Sequence, residues 1–281
     1  MRGFNTKSIV PIIESKYQSL STVEKTIADF FIENRVKMDF SAKAVSQRLF
    51  VSEASLSRFA KKCGYRGYRE FIYQYEETFV EKKEPVTKNL SGVLGIYQEL
   101  LNHTYNLVDE AQIARICRYL SEAHRVFVCG KGSSGFAASE MEMRFMRIGV
   151  DIDCIQDSHL MKMQTVFLSN RDLVIGITIS ATTEEVLYML QEGHKRGAKT
   201  IVLTANNLDY LHEFCDEIVL VASMDRLDEG NMISPQYPIL TLTDVIYSSF
   251  VDKDESMKEI LHDNTVQALG NKKVGENYEK L

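Results

Sequence analysis

The chain predicts two unlike parts, an all-α helix-turn-helix domain at the amino terminus and an α/β domain behind it, with a parallel sheet flanked by helices. Three observations predict this. Residues Ser41 to Gly64 (SAKAVSQRLFVSEASLSRFAKKCG) read as a short helix, a tight turn and a second helix opening on Ser52. Beyond about residue 96, short apolar runs alternate with helical segments, the pattern of βαβ units and a sheet covered on both faces. Charge divides the same way: residues 1–76 carry 13 Lys/Arg against 8 Asp/Glu, and residues 77–281 carry 20 against 31. The net charge of −6 argues against a nucleic-acid binder only if the chain is one body. A basic head on an acidic body is expected when only the head meets phosphates.

Each element has its own signal. Leu20 followed by Ser21-Thr22-Val23-Glu24 predicts a helix capped by Ser21 with Glu24 reaching back, and Ile27, Phe30, Phe31 and Ile32 recur at helical spacing behind it. Gly64-Tyr65-Arg66-Gly67-Tyr68 interrupts the pattern before another helix begins near Glu70. Residues 78–95, charged and containing Pro85 and two glycines, read as a linker between a domain over 1–77 and one over 96–281. Helical signals at 96–106 and 110–121 precede the apolar run 125–129, a Gly/Ser turn and a helix running to Gly149. DLVIGITI (172–179), a helix over 184–197, KTIVLTA (199–205), DEIVLVA (216–222) and a helical tail over about 238–269 complete the body.

At 281 residues, 44% hydrophobic and 26% charged, the chain has the composition of a globular protein with room for a sizeable core. Its five scattered cysteines form no CxxC or Cys/His cluster, so neither a disulfide framework nor a zinc site is expected, and no metal or other cofactor. No apolar run suits a signal peptide or a membrane span, so a cytoplasmic location is expected.

The helix opening at Ser52 carries the first candidate site. Glu53, Ala54, Ser57 and Arg58 fall on its amino-terminal outer face. Arg58 suits a guanine fork, Glu53 a cytosine amino group and Ala54 a thymine methyl. Ser52, Ser55, Lys61 and Lys62 suit phosphate contacts, which set register rather than sequence preference. The same residues also suit a solvated, capped helix in an ordinary bundle. Val45, Leu49, Val51, Leu56 and Phe59 are core on either reading.

The second site is a pair of turns. Gly130-Lys131-Gly132-Ser133-Ser134-Gly135 runs from a buried strand into a helix with small residues at its start, where unpaired amides and hydroxyls make an anion site. Glycines 130, 132 and 135 also match dinucleotide spacing, with Asp151 and Asp153 near the position of a ribose-binding acid. Thr178-Ile179-Ser180-Ala181-Thr182-Thr183 repeats the strand-to-helix arrangement, rich in hydroxyls and without a base. One phosphate shared by both turns explains this Ser/Thr density better than a pyrophosphate does.

Together the two halves resemble the RpiR family of bacterial transcription regulators, which join a helix-turn-helix domain to a sugar isomerase (SIS) domain. The resemblance rests on LSTVEKTIADFFIEN and VSEASLSRFAKKCGYRGYREF in the head, and on GKGSSGFAA, TISATTEEV, HKRGAKTIVLTAN and LTLTDVIYSSF in the body. It implies operator DNA and a sugar-phosphate effector as partners, a homodimer or higher homo-oligomer, and a phosphosugar site at Gly132, Ser133, Ser134, Thr178, Ser180, Ala181 and Thr183. Ala181 stands where relatives carry glycine and Thr178 where they carry serine, and the segment 232–238 lacks the arginine many relatives place near Ser234. The rival implication is a sugar-phosphate isomerase, with Glu184, Glu185 or His159 as its base. No catalytic residue is expected here, with His159, Met161, Lys162 and the 225–237 loop lining the sugar instead.

Overall fold

A computed structural model describes residues 9–34, 36–77, 90–222, 233–252 and 255–270. The head is built from helices α1 (Val10–Lys16), α2 (Thr22–Glu33), α3 (Ala42–Leu49), α4 (Glu53–Lys62) and α5 (Tyr68–Glu77). Glu24 Oε2 accepts from the Ser21 amide at 2.9 Å and from its hydroxyl at 2.8 Å, so the capping expected there forms. Ser41 and Ser52 cap α3 and α4 by accepting from the amides of Ala44 and Ser55. The turn between those helices is made by Phe50 at φ +54°, its side chain 96% exposed.

Aromatic packing holds the head together. Phe31 is fully buried at the centre, with its ring 4.9 Å from Phe71, 4.9 Å from Tyr75 and 6.1 Å from Phe59. The Tyr75 and Tyr68 hydroxyls donate to the carbonyls of Phe31 and Phe40, so these rings bring no unpaired polar group into the core. Leu56, Phe59 and Ala60 of α4 are fully buried in the same cluster, and this fixes which side of α4 remains outside.

The body begins with α6 (Leu90–Leu107) and α7 (Glu110–Glu122). Strands β1 (Arg125–Gly130), β2 (Ile152–Ile155), β3 (Asp172–Ile177), β4 (Lys199–Thr204) and β5 (Glu217–Leu220) form a parallel sheet in the order β2-β1-β3-β4-β5. Between them run α8 (Gly132–Met146), α9 (Ser158–Gln164) and α10 (Glu184–Lys195); α11 (Tyr237–Val251) and α12 (Glu255–Gly270) follow. Alternation along the strands separates two cores. Val126 and Val128 face a cluster with Ile116, Met141, Phe145 and Ile246 from α7, α8 and α11. Phe127 and Cys129 face another with Met161, Val186, Met189 and Leu190 from α9 and α10.

Some boundaries differ from the sequence reading. Residues 90–95, read as linker, are the first turns of α6; Val93, Ile96, Tyr97 and Leu100 pack with Ala222, Ile233 and Tyr237 and override the two glycines. Residues 78–89 of that linker lie outside the described residues. The strand β2 gave no alternating pattern because only Ile152 and Ile155 of its four residues are buried. The helix α8 ends at Met146 rather than Gly149, and β5 covers only four residues of the 216–222 run. No disulfide joins any of the five cysteines. No helix among the described residues is long and apolar enough to cross a membrane.

Lys62 ties α4 to α2 through a 2.8 Å bond to Glu24. Burial alone raises the Glu24 pKa, but the Lys62 hydrogen bond, the two Ser21 donors and the Lys62 charge outweigh it, leaving the carboxyl below its ordinary value. Its stabilising contribution is therefore complete above the ordinary Glu value of about 4.3 and is lost as pH falls through the lower folded-state value. Glu24→Gln should cost about 1–3 kcal/mol at pH 7. It should also flatten the acid limb of a plot of denaturant midpoint against pH; an unchanged limb would remove Glu24 as its source.

Candidate functional site

In the head, the outer face of α4 presents Ser52, Glu53, Ala54, Arg58 and Lys61, all exposed, with Ser57 half-buried. One expected phosphate contact is corrected. Ser55 is buried, and its hydroxyl pairs with Ser52 Oγ at 2.9 Å and accepts from the Arg58 guanidinium at 3.0 Å, so it braces the helix start. Lys62 donates to Glu24 at 2.8 Å, which helps hold α4 against α2, while its side chain stays 47% exposed. The exposed positive charge of α4 comes from Arg58, Lys61 and Lys62.

In the body, the strand order reverses direction between β1 and β3, the switch point where doubly wound sheets bind ligands beyond the strands' carboxyl ends. Gly130 pairs with Ile177 at the last rung of the β1–β3 ladder. The Gly132–Gly135 and Thr178–Thr183 turns thus leave the sheet one interstrand spacing apart, about 4.8 Å. A Cβ on Gly130 would stand 2.7 Å from the Ser134 carbonyl oxygen, so only glycine lets α8 start this close to its strand. Gly132 takes φ +54°, exposing Ser133 at the first turn of α8, where the helix amides have no intrahelical acceptor.

The second turn holds itself together. Thr178 Oγ1 lies 2.9 Å from Thr183 Oγ1, and Ser180 Oγ lies 2.7 Å from Thr182 Oγ1 and accepts from the Thr182 amide at 3.2 Å. Thr178 is buried, so its hydroxyl positions Thr183 and does not face solvent, a correction to its expected ligand contact. Ala181 adopts φ +59° despite alanine's preference and is wholly buried. Its carbonyl accepts from the Tyr210 hydroxyl and its amide donates to the Thr178 carbonyl, and these bonds offset the strain. Behind the turn, the Ile179 carbonyl accepts from the Ala205 amide, the Thr204 hydroxyl and the Asn206 side chain.

Sequence reasoning missed a polar chain beside the turns. Lys131 Nζ donates to Ser158 Oγ at 2.7 Å, and Ser158 donates to Glu185 Oε1 at 3.0 Å, joining the first turn, α9 and α10. The Glu185 carboxyl is held below its ordinary value by its own backbone amide and by Ser158, against some desolvation, with the Lys131 and Lys162 charges assisting. Only the Asp157 cap of α9 marked this corner in the sequence, and it was obscured with β2. Of the expected sugar-lining residues, Met161 is core, whereas His159 and Lys162 are exposed. Residues 225–232 of the expected lining loop lie outside the described residues.

The dinucleotide alternative lacks its acid. Asp153 lies within β2 and bonds Arg125 at 2.6 Å, and the residue after β2 is Gln156, whose amide donates to Ser139. Among the described residues no cluster of His, Cys, Asp and Glu suits a metal. A groove of about 710 Å³ between α6, α7 and α11 is lined by Leu101, Tyr105, Ile113 and Val245 and by no residue of either turn.

A helix-turn-helix head joined to a doubly wound body with hydroxyl-lined turns at its switch point defines a DNA-binding regulator with a ligand-binding-type domain. The sequence model of the rpiR-family helix-turn-helix domain matches residues 7–82, and that of the SIS domain matches residues 119–248. The chain belongs to the RpiR family of transcriptional regulators. It is 28% identical to an uncharacterized HTH-type transcriptional regulator of Haemophilus influenzae, covering 92% of this chain and 94% of that one. It is 24% identical to the regulator RpiR of Escherichia coli K12, over 87% and 86%. Among solved structures, the fold resembles Vibrio vulnificus NanR complexed with ManNAc-6P, with a TM-score of 0.59 and 23% identity over 93% of this chain and 98% of that one. It also resembles the sugar isomerase domain of an RpiR transcription factor from Sphaerobacter thermophilus, with a TM-score of 0.57 and 17% identity over 62% and 96%.

Ala181→Val should break the second turn. A β-branched residue is disfavoured at positive φ, and the site is closed, so a loss of about 2–4 kcal/mol is expected. Thermal and chemical denaturation measure it; a variant as stable as the parent would show that the turn relaxes freely.

Proposed function

We propose that this regulator senses a sugar phosphate, bound between the 132–135 and 178–183 turns, and changes its operator affinity in response. The observation that carries the reading is the placement of two hydroxyl-bearing, helix-initiating turns on adjacent strands at the switch point. Ser133, Ser134, Ser180 and Thr183 with the first-turn amides of α8 would hold the phosphate, supported by Gly132 and Ala181 as the backbone of each turn. NanR, solved with ManNAc-6P, supports this class of ligand. The outer face of α4 would enter the major groove, with Arg58, Glu53, Ala54 and Ser57 toward base edges and Ser52, Lys61 and Lys62 nearer the backbone. Two heads in a homodimer would then address half-sites about 34 Å apart or a multiple of that.

A sensor fits the site better than an isomerase. A general base works best with a pKa near the operating pH, whereas Glu185 is held below the ordinary carboxylate value and receives the Ser158 hydroxyl. His159 is 91% exposed, without the enclosure that would set it beside a reacting carbon. The protein is accordingly expected to bind sugar phosphates without converting aldose to ketose.

A thermal-shift screen across phosphosugars tests the input, since a ligand at 100 times its Kd should stabilise by about 2.7 kcal/mol. Ser180→Ala combined with Thr183→Ala should abolish that shift and any ligand effect on operator binding while leaving basal DNA binding intact. Arg58→Ala should weaken specific DNA binding by about 1–3 kcal/mol with sugar binding unchanged. A phosphosugar that binds tightly yet never alters operator affinity would sink the sensor reading.

A further inference from the structure

We propose that the loop over residues 204–207 carries the state of the Ser180 turn to the DNA-binding head, with Asn206 as its positioning residue. The inference rests on the reading of that turn as an anion site. The Ile179 carbonyl and the Ser180 amide share one peptide plane. A phosphate that also accepted from the Ser180 amide would fix the plane whose oxygen the loop holds from behind. That oxygen takes three donors, the Ala205 amide at 3.1 Å, Thr204 Oγ1 at 3.1 Å and Asn206 Nδ2 at 3.0 Å. A carbonyl has two lone pairs, so the three compete, and a small rotation of the plane redistributes them.

The next residue leaves the body. The Asn207 amide donates to the Ser15 carbonyl at 2.8 Å, and Ser15 lies in α1 of the head. The helix α1 is gripped from both sides. Ile13 is fully buried in the head's aromatic core with Phe31, Phe59 and Phe71. On the other side Glu14 Oε2 stands 3.7 Å from His103 Nδ1 of α6, and His103 Nε2 stands 3.8 Å from Glu99. A shift of the loop thus acts on a helix that is part of the head's core, and two hydrogen bonds, at the Ile179 and Ser15 carbonyls, link that helix to the peptide plane of Ser180.

Amide hydrogen exchange on the full-length protein, with inorganic phosphate as the probe, tests this. In the parent protein phosphate should slow exchange over 180–183 and also change exchange over 9–17 by about five-fold or more, the low end of ordinary coupling. Asn206→Ala should keep the first effect and lose the second. Should Asn206→Ala fail to fold, Thr204→Val, which removes another donor to the same oxygen at nearly constant shape, must give the same split. The relay is overturned by a variant whose 9–17 response equals the parent's, or by a parent in which the turn is protected while α1 is unmoved. If phosphate leaves 180–183 unprotected, the anion site itself fails and the relay falls with it.

Discussion

The pairing of Gly130 with Ile177 on neighbouring parallel strands is the constraint from which the rest of the body follows. Parallel strands cannot be joined by tight hairpins, so each must be followed by a crossover, here a helix, and the first residues of that crossover lie above the strand's carboxyl end. Where strand order reverses, between β1 and β3, two such crossovers diverge and leave a crevice. The residue types at that crevice answer its geometry. Gly130 permits contact between strand and helix backbone, Gly132 supplies a left-handed step, and serines and threonines occupy the turns. An exchange of β1 with β2 in the sheet order would leave every residue in place along the chain and dissolve the site.

The head is organised by a different force. Its helices are short, and helices of this length gain most of their stability from packing. Phe31 supplies the packing, with Phe71, Tyr75, Phe59 and Phe40 arranged around it. The polar clamp formed by Ser21, Glu24 and Lys62 then sets how α2 meets α4. Lys62 serves that clamp while remaining half exposed, and Arg58 folds back to Ser55. An α4 held this firmly presents its outer residues from a rigid platform, and little ordering remains to be done when a partner docks.

Legibility in the sequence tracked how local each signal was. The Ser21 cap, the paired helices around Phe50 and the long apolar strands β3 and β4 announce themselves within a few residues, and the structure has them. The strand β2 was not legible: an edge strand of four residues with two buried side chains has no periodicity to detect. The start of α6 was masked by glycines whose cost is met by contacts with Ala222, Ile233 and Tyr237, more than a hundred residues away. The two turns could be read as candidates because small and hydroxylic residues cluster there. The division of labour within them could not, since burial of Thr178 and the Lys131–Ser158–Glu185 chain arise only when β1, β2 and β3 are brought side by side.

The charge division gives a reason for the chemistry of the proposed cradle. A protein that must hold DNA at one end and a phosphate ester at the other faces competition, because guanidinium groups that bind one phosphate also bind the other. The body avoids this by carrying 31 acidic against 20 basic residues over 77–281, which repels the DNA backbone. Its turns offer amides and hydroxyls, whose positive partial charge falls off within the first helical turn. Of the cations near the turns, Lys131 and Lys162, the first is tethered to Ser158 through its Nζ. Such a cradle attracts an anion small enough to enter the crevice and is invisible to a duplex at a distance. The head, with 13 basic against 8 acidic residues over 1–76, keeps the long-range field. Separating a short-range anion site from a long-range one would let a single chain meet two kinds of phosphate without confusing them.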